Sequence, residues 1–156
     1  MISILRPGLA PLEIDFILLD FDGTLARDGR IHPKAKDKIN LLAKRTQIYV
    51  LTKEEKEKVE EALRKVNAQI VHLTEGESSQ GKLDWLRRLG QGRTVAIGNG
   101  VDDALMIEEA GLGICVLSKE GTGASTLEKA DLVFPDILDA LDFLVKPLRQ
   151  KATLGT

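Results

Sequence analysis

Hydrophobic and polar positions along this chain follow two different spacings. Uninterrupted or nearly uninterrupted apolar runs predict strands over 16–19, 48–51, 69–73, 94–97, 113–117 and 131–134. Between them apolar residues recur three and four apart, as in Ala35, Ile39 and Leu42, then Val59, Ala62, Leu63 and Val66, then Leu83, Leu86 and Leu89. That period predicts one helix from His32 or Pro33 to about Arg45 and a second from about Lys53 to Val66. A third runs through Leu89 and stops at Gly90, and others run from the Asn99-Gly100 turn to Ala110, over 125–130 and over 137–143. At the start of the chain, Ile2-Ser3-Ile4-Leu5 and Leu12-Glu13-Ile14 flank Pro7-Gly8 and read as a β-hairpin.

Strands that alternate with helices of this length require β-α crossovers. The expected fold class is therefore α/β, a doubly wound and mostly parallel sheet with helices on both faces. One domain is expected over residues 1–150, and the tail from 151 to 156 is expected to fray. In such a sheet ligands bind beyond the carboxyl ends of the strands. The polar residues at those ends are Asp20, Asp22, Thr24, Thr52 and Asn99.

Composition narrows the class of function. The 156 residues are 43% hydrophobic and 29% charged with both signs mixed, which excludes intrinsic disorder. A net charge of −2 supplies no global pull toward nucleic acid or an anionic membrane. No apolar run approaches the roughly 20 residues a bilayer span needs, and the segment after Met1 does not have the make-up of a signal peptide. Cys115 is the single cysteine, so no internal disulfide can form and a cytoplasmic setting is expected.

The strongest chemical signal is Asp20-Phe21-Asp22-Gly23-Thr24. An Asp-Gly turn with a helix-capping Asp is the plain alternative. Four apolar residues immediately before Asp20 argue against it, because a carboxylate at the end of a buried strand must find donors or a cation. Thr52 and Glu55 also have the spacing of a helix capping box, with Thr52 as N-cap. Lys82 can be read as a solvated lysine early in its helix, and Asn99-Gly100 as a tight turn followed by a capping Asp102 or Asp103. Ser78 and Ser79 read as helix-start residues. The Lys/Glu run from Lys53 to Lys65 reads as a solvated helix face.

Taken together, four segments resemble the motifs of the haloacid dehalogenase superfamily of phosphotransferases. Ile17 through Leu25 is similar to the first motif, Tyr49-Val50-Leu51-Thr52 to the second, Gly81-Lys82 to the third and Ile97 through Asp103 to the fourth. Within that superfamily the chain looks most like the soluble relatives of the P-type ATPase phosphorylation domain. The resemblance implies a Mg²⁺-dependent phosphatase in which Asp20 becomes an aspartyl-phosphate and Asp22 serves as acid, then base. It implies phosphate contacts from Thr24, Thr52 and Lys82, with Lys53 as a competing lysine, and metal contacts from Asp20, Asp22, Asn99 and Asp103, with Asp102 as a further candidate. Only 27 residues separate Thr24 from Thr52 and 29 separate Thr52 from Lys82. Neither gap holds a cap or nucleotide-binding domain. The site is then open, suited to a small or macromolecular phosphorylated substrate or to closure by a second subunit in a homo-oligomer.

Rival readings are a soluble ATP hydrolase and a receiver-like phosphate-binding module. The second expects an Asp at the end of a middle strand, where this chain has His72-Leu73-Thr74. Gly98-Asn99-Gly100 resembles a dinucleotide fingerprint, but Asp103 stands at its third glycine. Gly121-Thr122-Gly123 reads as a flexible turn. Where the superfamily usually carries a metal-binding Asp, Asn99 brings an oxygen without charge. Asn99→Asp should therefore tighten Mg²⁺ binding, read as a lower midpoint when activity is titrated with the metal; an unchanged midpoint removes Asn99 from the ligand set.

Overall fold

The computed structural model describes residues 1–155. The chain opens with the antiparallel hairpin β1 (Ile2–Ile4) and β2 (Leu12–Ile14) and then enters β3 (Phe16–Asp20). A second small hairpin, β4 (Ala26–Arg27) and β5 (Arg30–Ile31), precedes α1 (Pro33–Leu42), β6 (Gln47–Thr52), α2 (Lys56–Ala62) and β7 (Gln69–His72). There follow α3 (Ser78–Leu89), β8 (Thr94–Gly98), α4 (Ala104–Glu109), β9 (Leu112–Val116), α5 (Ala124–Lys129) and β10 (Leu132–Phe134). The chain closes with α6 (Ile137–Val145) and α7 (Pro147–Leu154).

Six strands form one parallel sheet in the order β10-β9-β8-β3-β6-β7. Side chains alternate between its faces, as strand geometry demands. Ile17, Leu19, Val50 and Ile97 pack toward Ile39 of α1 and Phe143 of α6, while Leu18, Leu51 and Ala96 pack toward Leu86 of α3 and Met106 of α4. Helices thus cover both faces, which is why the central strands lack polar positions until their ends. The chain steps from β3 outward through β6 to β7, then returns to lay β8 on the other side of β3. This reversal opens a crevice at the carboxyl ends of β3 and β8, beside Asp20 and Asn99.

Three local features differ from the sequence pattern. Thr52 does not cap α2: its hydroxyl oxygen accepts from the Glu54 N–H at 2.9 Å, and the helix starts only at Lys56 with Glu55 as N-cap. The stretch 26–31, for which no element was expected, is a hairpin whose Asp28-Gly29 turn has both φ angles positive, at 51° and 77°. Of the tail expected to fray over 151–156, residues 151–154 form the second half of α7, and Thr156 lies outside the described residues. Gln150 ties that helix down by donating to the Phe143 carbonyl at 2.9 Å, one of the last-turn acceptors of α6. Among the described residues no helix is long and apolar enough to cross a membrane.

Asp142 on α6 joins three helices, accepting from Lys38 of α1 at 2.6 Å and from Arg149 of α7 at 3.3 Å. Burial disfavours its charge, but Lys38, Lys146 and Arg149 outweigh that and hold the carboxyl below its ordinary value. Its contribution is full above an unfolded-state pKa of roughly 4 and is lost as pH falls through the lower folded-state value. Asp142→Asn should cost roughly 1–2 kcal/mol at pH 7 in urea denaturation, and the difference from the parent protein should shrink in acid. A difference that is constant with pH would assign the loss to packing.

Candidate active site

Asp20 ends β3 in the middle of the sheet, and the chain beyond it winds into one tight turn. Leu25 N–H bonds to the Asp20 carbonyl and Ala26 N–H to that of Phe21, each five residues back. The turn needs a positive φ at Gly23, 78°, and a Cβ there would come within 2.7 Å of Asn99 Nδ2. It brings the Thr24 hydroxyl back onto the strand end, 3.0 Å from Asp20 Oδ2 and 2.8 Å from Asn99 Oδ1. The orientation of Asn99 follows from its other end: Nδ2 donates to the Gly121 carbonyl at 2.9 Å, which can only accept. One hydroxyl therefore faces an oxygen of Asp20 and an oxygen of Asn99 together.

On the other side, Lys82 reaches in from the second turn of α3 with only 2% of its surface exposed. Its ammonium donates to Asp103 Oδ1 at 2.7 Å, Asp20 Oδ1 at 2.8 Å and Asp102 Oδ2 at 3.2 Å. All three protons of the ammonium are thereby used. Asp103 is fully buried, and its second oxygen accepts from the Asn99 and Gly100 N–H groups, each at 2.9 Å. Gly98 makes room for it, since a Cβ at that position would lie 2.4 Å from the Asp103 carboxyl.

Electrostatics follow from this crowding. Burial, then the charge of Asp103, push the Asp20 carboxyl well above its ordinary value, with Lys82 opposing. Burial likewise raises Asp103 against the pull of Lys82. Burial by itself would lower Lys82, but Asp20 and Asp103 overcome it and keep the ammonium protonated. Asp22 projects into solvent two residues after Asp20, and its carboxyl is raised by desolvation and then by the charge of Glu54. Cys115 behind the site has its thiol pushed up to about 11 by burial and Asp103, which leaves it inert at neutral pH.

Two buried carboxylates, Asp20 and Asp103, share one ammonium and leave net negative charge there, since the third, Asp102, is partly exposed and also approached by Lys53; the atoms facing Thr24 are all oxygen. That combination fits a hard divalent cation. Asp20 and Asn99 are the oxygens placed to hold it, with Asp22 beside them. Asp103, also expected in the metal set, has both of its oxygens engaged, by Lys82 and by two backbone donors. Among the described residues no three His, Cys, Asp or Glu side chains form a ready-made metal cluster.

Other expectations are sorted by the same geometry. Lys82, not Lys53, contacts the central carboxylate; Lys53 approaches only Asp102, at 3.9 Å. Lys82 can reach a phosphate oxygen only by giving up a carboxylate, and Asp102 is its longest contact. Thr52 is 1% exposed at the end of β6, and among the described residues nothing accepts its hydroxyl proton. Gly121 is the residue that sequence reasoning missed. Gly121-Thr122-Gly123 read as a loose turn, yet the Gly121 carbonyl holds Asn99 and the Gly123 N–H bonds to the Asn99 carbonyl at 2.7 Å. Its signal was position, since the segment follows the strand end of β9 on the same edge of the sheet.

Comparison with solved structures identifies the fold. The 3-deoxy-D-manno-octulosonate 8-phosphate phosphatase of Moraxella catarrhalis, in complex with magnesium, phosphate and KDO, superposes with a TM-score of 0.73 at 16% identity, over 92% of this chain and 93% of that one. The cobalt-bound phosphatase of the same kind from Haemophilus influenzae gives 0.71 at 15% identity, over 91% and 92%. A protein assigned to subfamily III A of the HAD superfamily, from Legionella pneumophila, gives 0.70 at 20% identity, over 92% and 87%. The chain has the fold of the haloacid dehalogenase superfamily in its capless form. In sequence, 61 residues are 48% identical to an uncharacterised protein of Methanocaldococcus jannaschii, spanning 39% of this chain and 66% of that protein, just under two thirds of its length. A second uncharacterised protein of that organism is 44% identical over 36 residues, 23% of this chain and 82% of that protein. No family model matches the chain.

Lys82→Met should destabilise the fold by about 3–5 kcal/mol, because it leaves Asp20, Asp102 and Asp103 without their shared cation. Guanidinium denaturation at pH 7 reads this. A loss below about 1 kcal/mol, the range of a surface ion pair, would show that the ammonium is not the centre of the cluster.

Proposed function

We propose that this chain is a divalent-cation-dependent phosphohydrolase that works through an aspartyl-phosphate on Asp20. The observation that carries this reading is the Asp20 carboxylate, fixed at the switch point of the sheet by Lys82 on one oxygen and Thr24 on the other. A carboxylate so held is positioned for nucleophilic attack, its rotamer settled before substrate arrives. An Asp20 oxygen attacks phosphorus and the bond to the leaving oxygen breaks. Asp22, with its raised carboxyl, gives that oxygen its proton. The same Asp22 then takes a proton from water, the water oxygen attacks phosphorus, and the bond to Asp20 breaks to restore the carboxylate.

Mg²⁺ is the cation proposed; when bound it neutralises charge on the transferring phosphoryl oxygens. Asp20 and Asn99 hold it in this reading, and Asp103 acts one step behind by fixing Lys82 and the Asn99 backbone. The unengaged Thr52 hydroxyl proton supplies a donor to a phosphoryl oxygen. Support comes also from the Moraxella phosphatase, solved with magnesium and phosphate on a similar fold. An intracellular setting is part of the proposal, as is an open site that admits bulky phosphosubstrates or is closed by a second subunit. ATP hydrolysis in the manner of P-type ATPases is disfavoured. The 27 residues between Thr24 and Thr52 are taken up by the β4–β5 hairpin, α1 and most of β6, with no nucleotide-binding domain.

Asp20→Asn, or a chelator on the parent protein, should abolish phosphate release from a phosphomonoester panel. Asp22→Asn should slow alkyl phosphates by about 10²–10⁴-fold. Acetyl phosphate, whose leaving group needs no acid, should phosphorylate that variant at nearly the parent rate. Equal slowing of both substrates would remove Asp22 from the acid role, and full activity of Asp20→Asn would end the proposal.

A further inference from the structure

The leaving group of the reaction proposed above has a definite place. Its oxygen must sit against Asp22 to take a proton, so the rest of it occupies whatever space Asp22 faces. That space is a cleft of about 1000 Å³ between the β4–β5 hairpin and α2, with Phe21 and Asp22 in its lining. Its size accommodates a sugar-sized or larger group, and its chemistry is one-sided. Carboxylates in the lining outnumber lysine and arginine side chains six to three.

Glu54 and Glu120 share the lining with Asp22, and among the described residues neither makes an ion pair. Along the α2 wall, Glu57 and Glu61 stand four residues apart on the same face, the spacing at which like charges weaken a helix. Lys56 and Glu60, which do pair across one turn of this helix, are absent from the lining. On the cleft side of this helix Glu57 makes no ion pair among the described residues, while Glu61 pairs with Arg64 at 3.7 Å and Lys58 supplies one positive charge, so the excess of negative charge rests on Glu54, Glu57 and Glu120. A second anion on the substrate would have to enter this field next to unpaired carboxylates, which is unfavourable, whereas an ammonium would be drawn in.

We propose that the substrates are phosphomonoesters whose leaving group carries an amine and no further anion, such as amino-sugar or amino-alcohol phosphates. This rests on the phosphohydrolase reading and deepens it. The preference is set by Glu54 and Glu120, which act as specificity-determining residues. Sugar acids are disfavoured by the same two side chains, so the KDO found with the Moraxella phosphatase is a poor guide to the substrate here.

The test uses the full chain with Mg²⁺ and p-nitrophenyl phosphate as reporter substrate. Glucosamine 6-phosphate, glucose 6-phosphate and 6-phosphogluconate, close in size and differing in charge, are each measured as competitors, so binding is read whether or not the sugar turns over. The expected order is amine, then neutral, then acid, with about tenfold between the ends, narrowing as ionic strength rises. In the Glu54→Gln/Glu120→Gln double variant the ratio of amine to acid should fall at least threefold, roughly the loss of two screened surface charges. A ratio within one variant does not depend on how much protein folds. Turnover of the reporter with an equal or reversed order, with no competition from any of the three, or with an unchanged ratio in the double variant overturns this inference alone. No turnover of the reporter overturns the phosphohydrolase reading and this inference with it.

Discussion

The site depends on one buried ammonium. Lys82 is the cation that permits Asp20, Asp102 and Asp103 to stand together at the end of a hydrophobic sheet. Charges removed from water are costly unless paired and hydrogen-bonded, and here each pairing serves a second purpose. The bond to Asp20 fixes the carboxylate proposed as the nucleophile. The bond to Asp103 fixes a carboxylate whose other oxygen shapes the Asn99-Gly100 turn. A cluster with excess negative charge is poorly satisfied by itself, and in the proposed reaction a divalent cation would offset it.

Backbone geometry makes the cluster possible. The reversal of strand order at β3 and β8 brings residues 20 and 99 side by side although 78 positions separate them in the chain from 21 to 98. Two glycines then allow close approach, Gly23 beneath Asn99 and Gly98 against Asp103. The Gly121 carbonyl decides which end of the Asn99 amide faces the site, so Asn99→Asp would set a carboxylate oxygen against a carbonyl at the same time as it adds charge. The loop after β9 therefore belongs to the site even though it carries no reactive group.

The strands were legible because runs such as Ile17-Leu18-Leu19 are apolar on both faces, and that happens where helices cover both sides of a parallel sheet. Asp20, Asp22, Thr24 and Asn99 were legible by the strand-end rule, without knowledge of partners. Lys82 was marked only by the Gly81-Lys82 resemblance, because spacing along α3 also fits a solvated lysine; its three contacts over 20 to 62 residues of separation distinguish the two. The β4–β5 hairpin escaped because its strands are two residues long, below any periodicity window, although Asp28-Gly29 is a turn signal. The capping alternative for Thr52 fails because a Thr three residues before a Glu fits that pattern whether or not the helix starts there. The true start, at Lys56, is set by a turn that the Thr52 hydroxyl itself stabilises.

Mapping the covalent intermediate tests most directly whether Asp20 is the group that carries the phosphoryl. The protein is incubated with Mg²⁺ and acetyl phosphate, quenched in acid and reduced with borohydride, which converts an aspartyl-phosphate to homoserine; peptide mass spectrometry then locates the change. Homoserine at position 20 and nowhere else is the expected result. Homoserine at position 22, or phosphate release with no trapped intermediate and inversion at phosphorus, would contradict it.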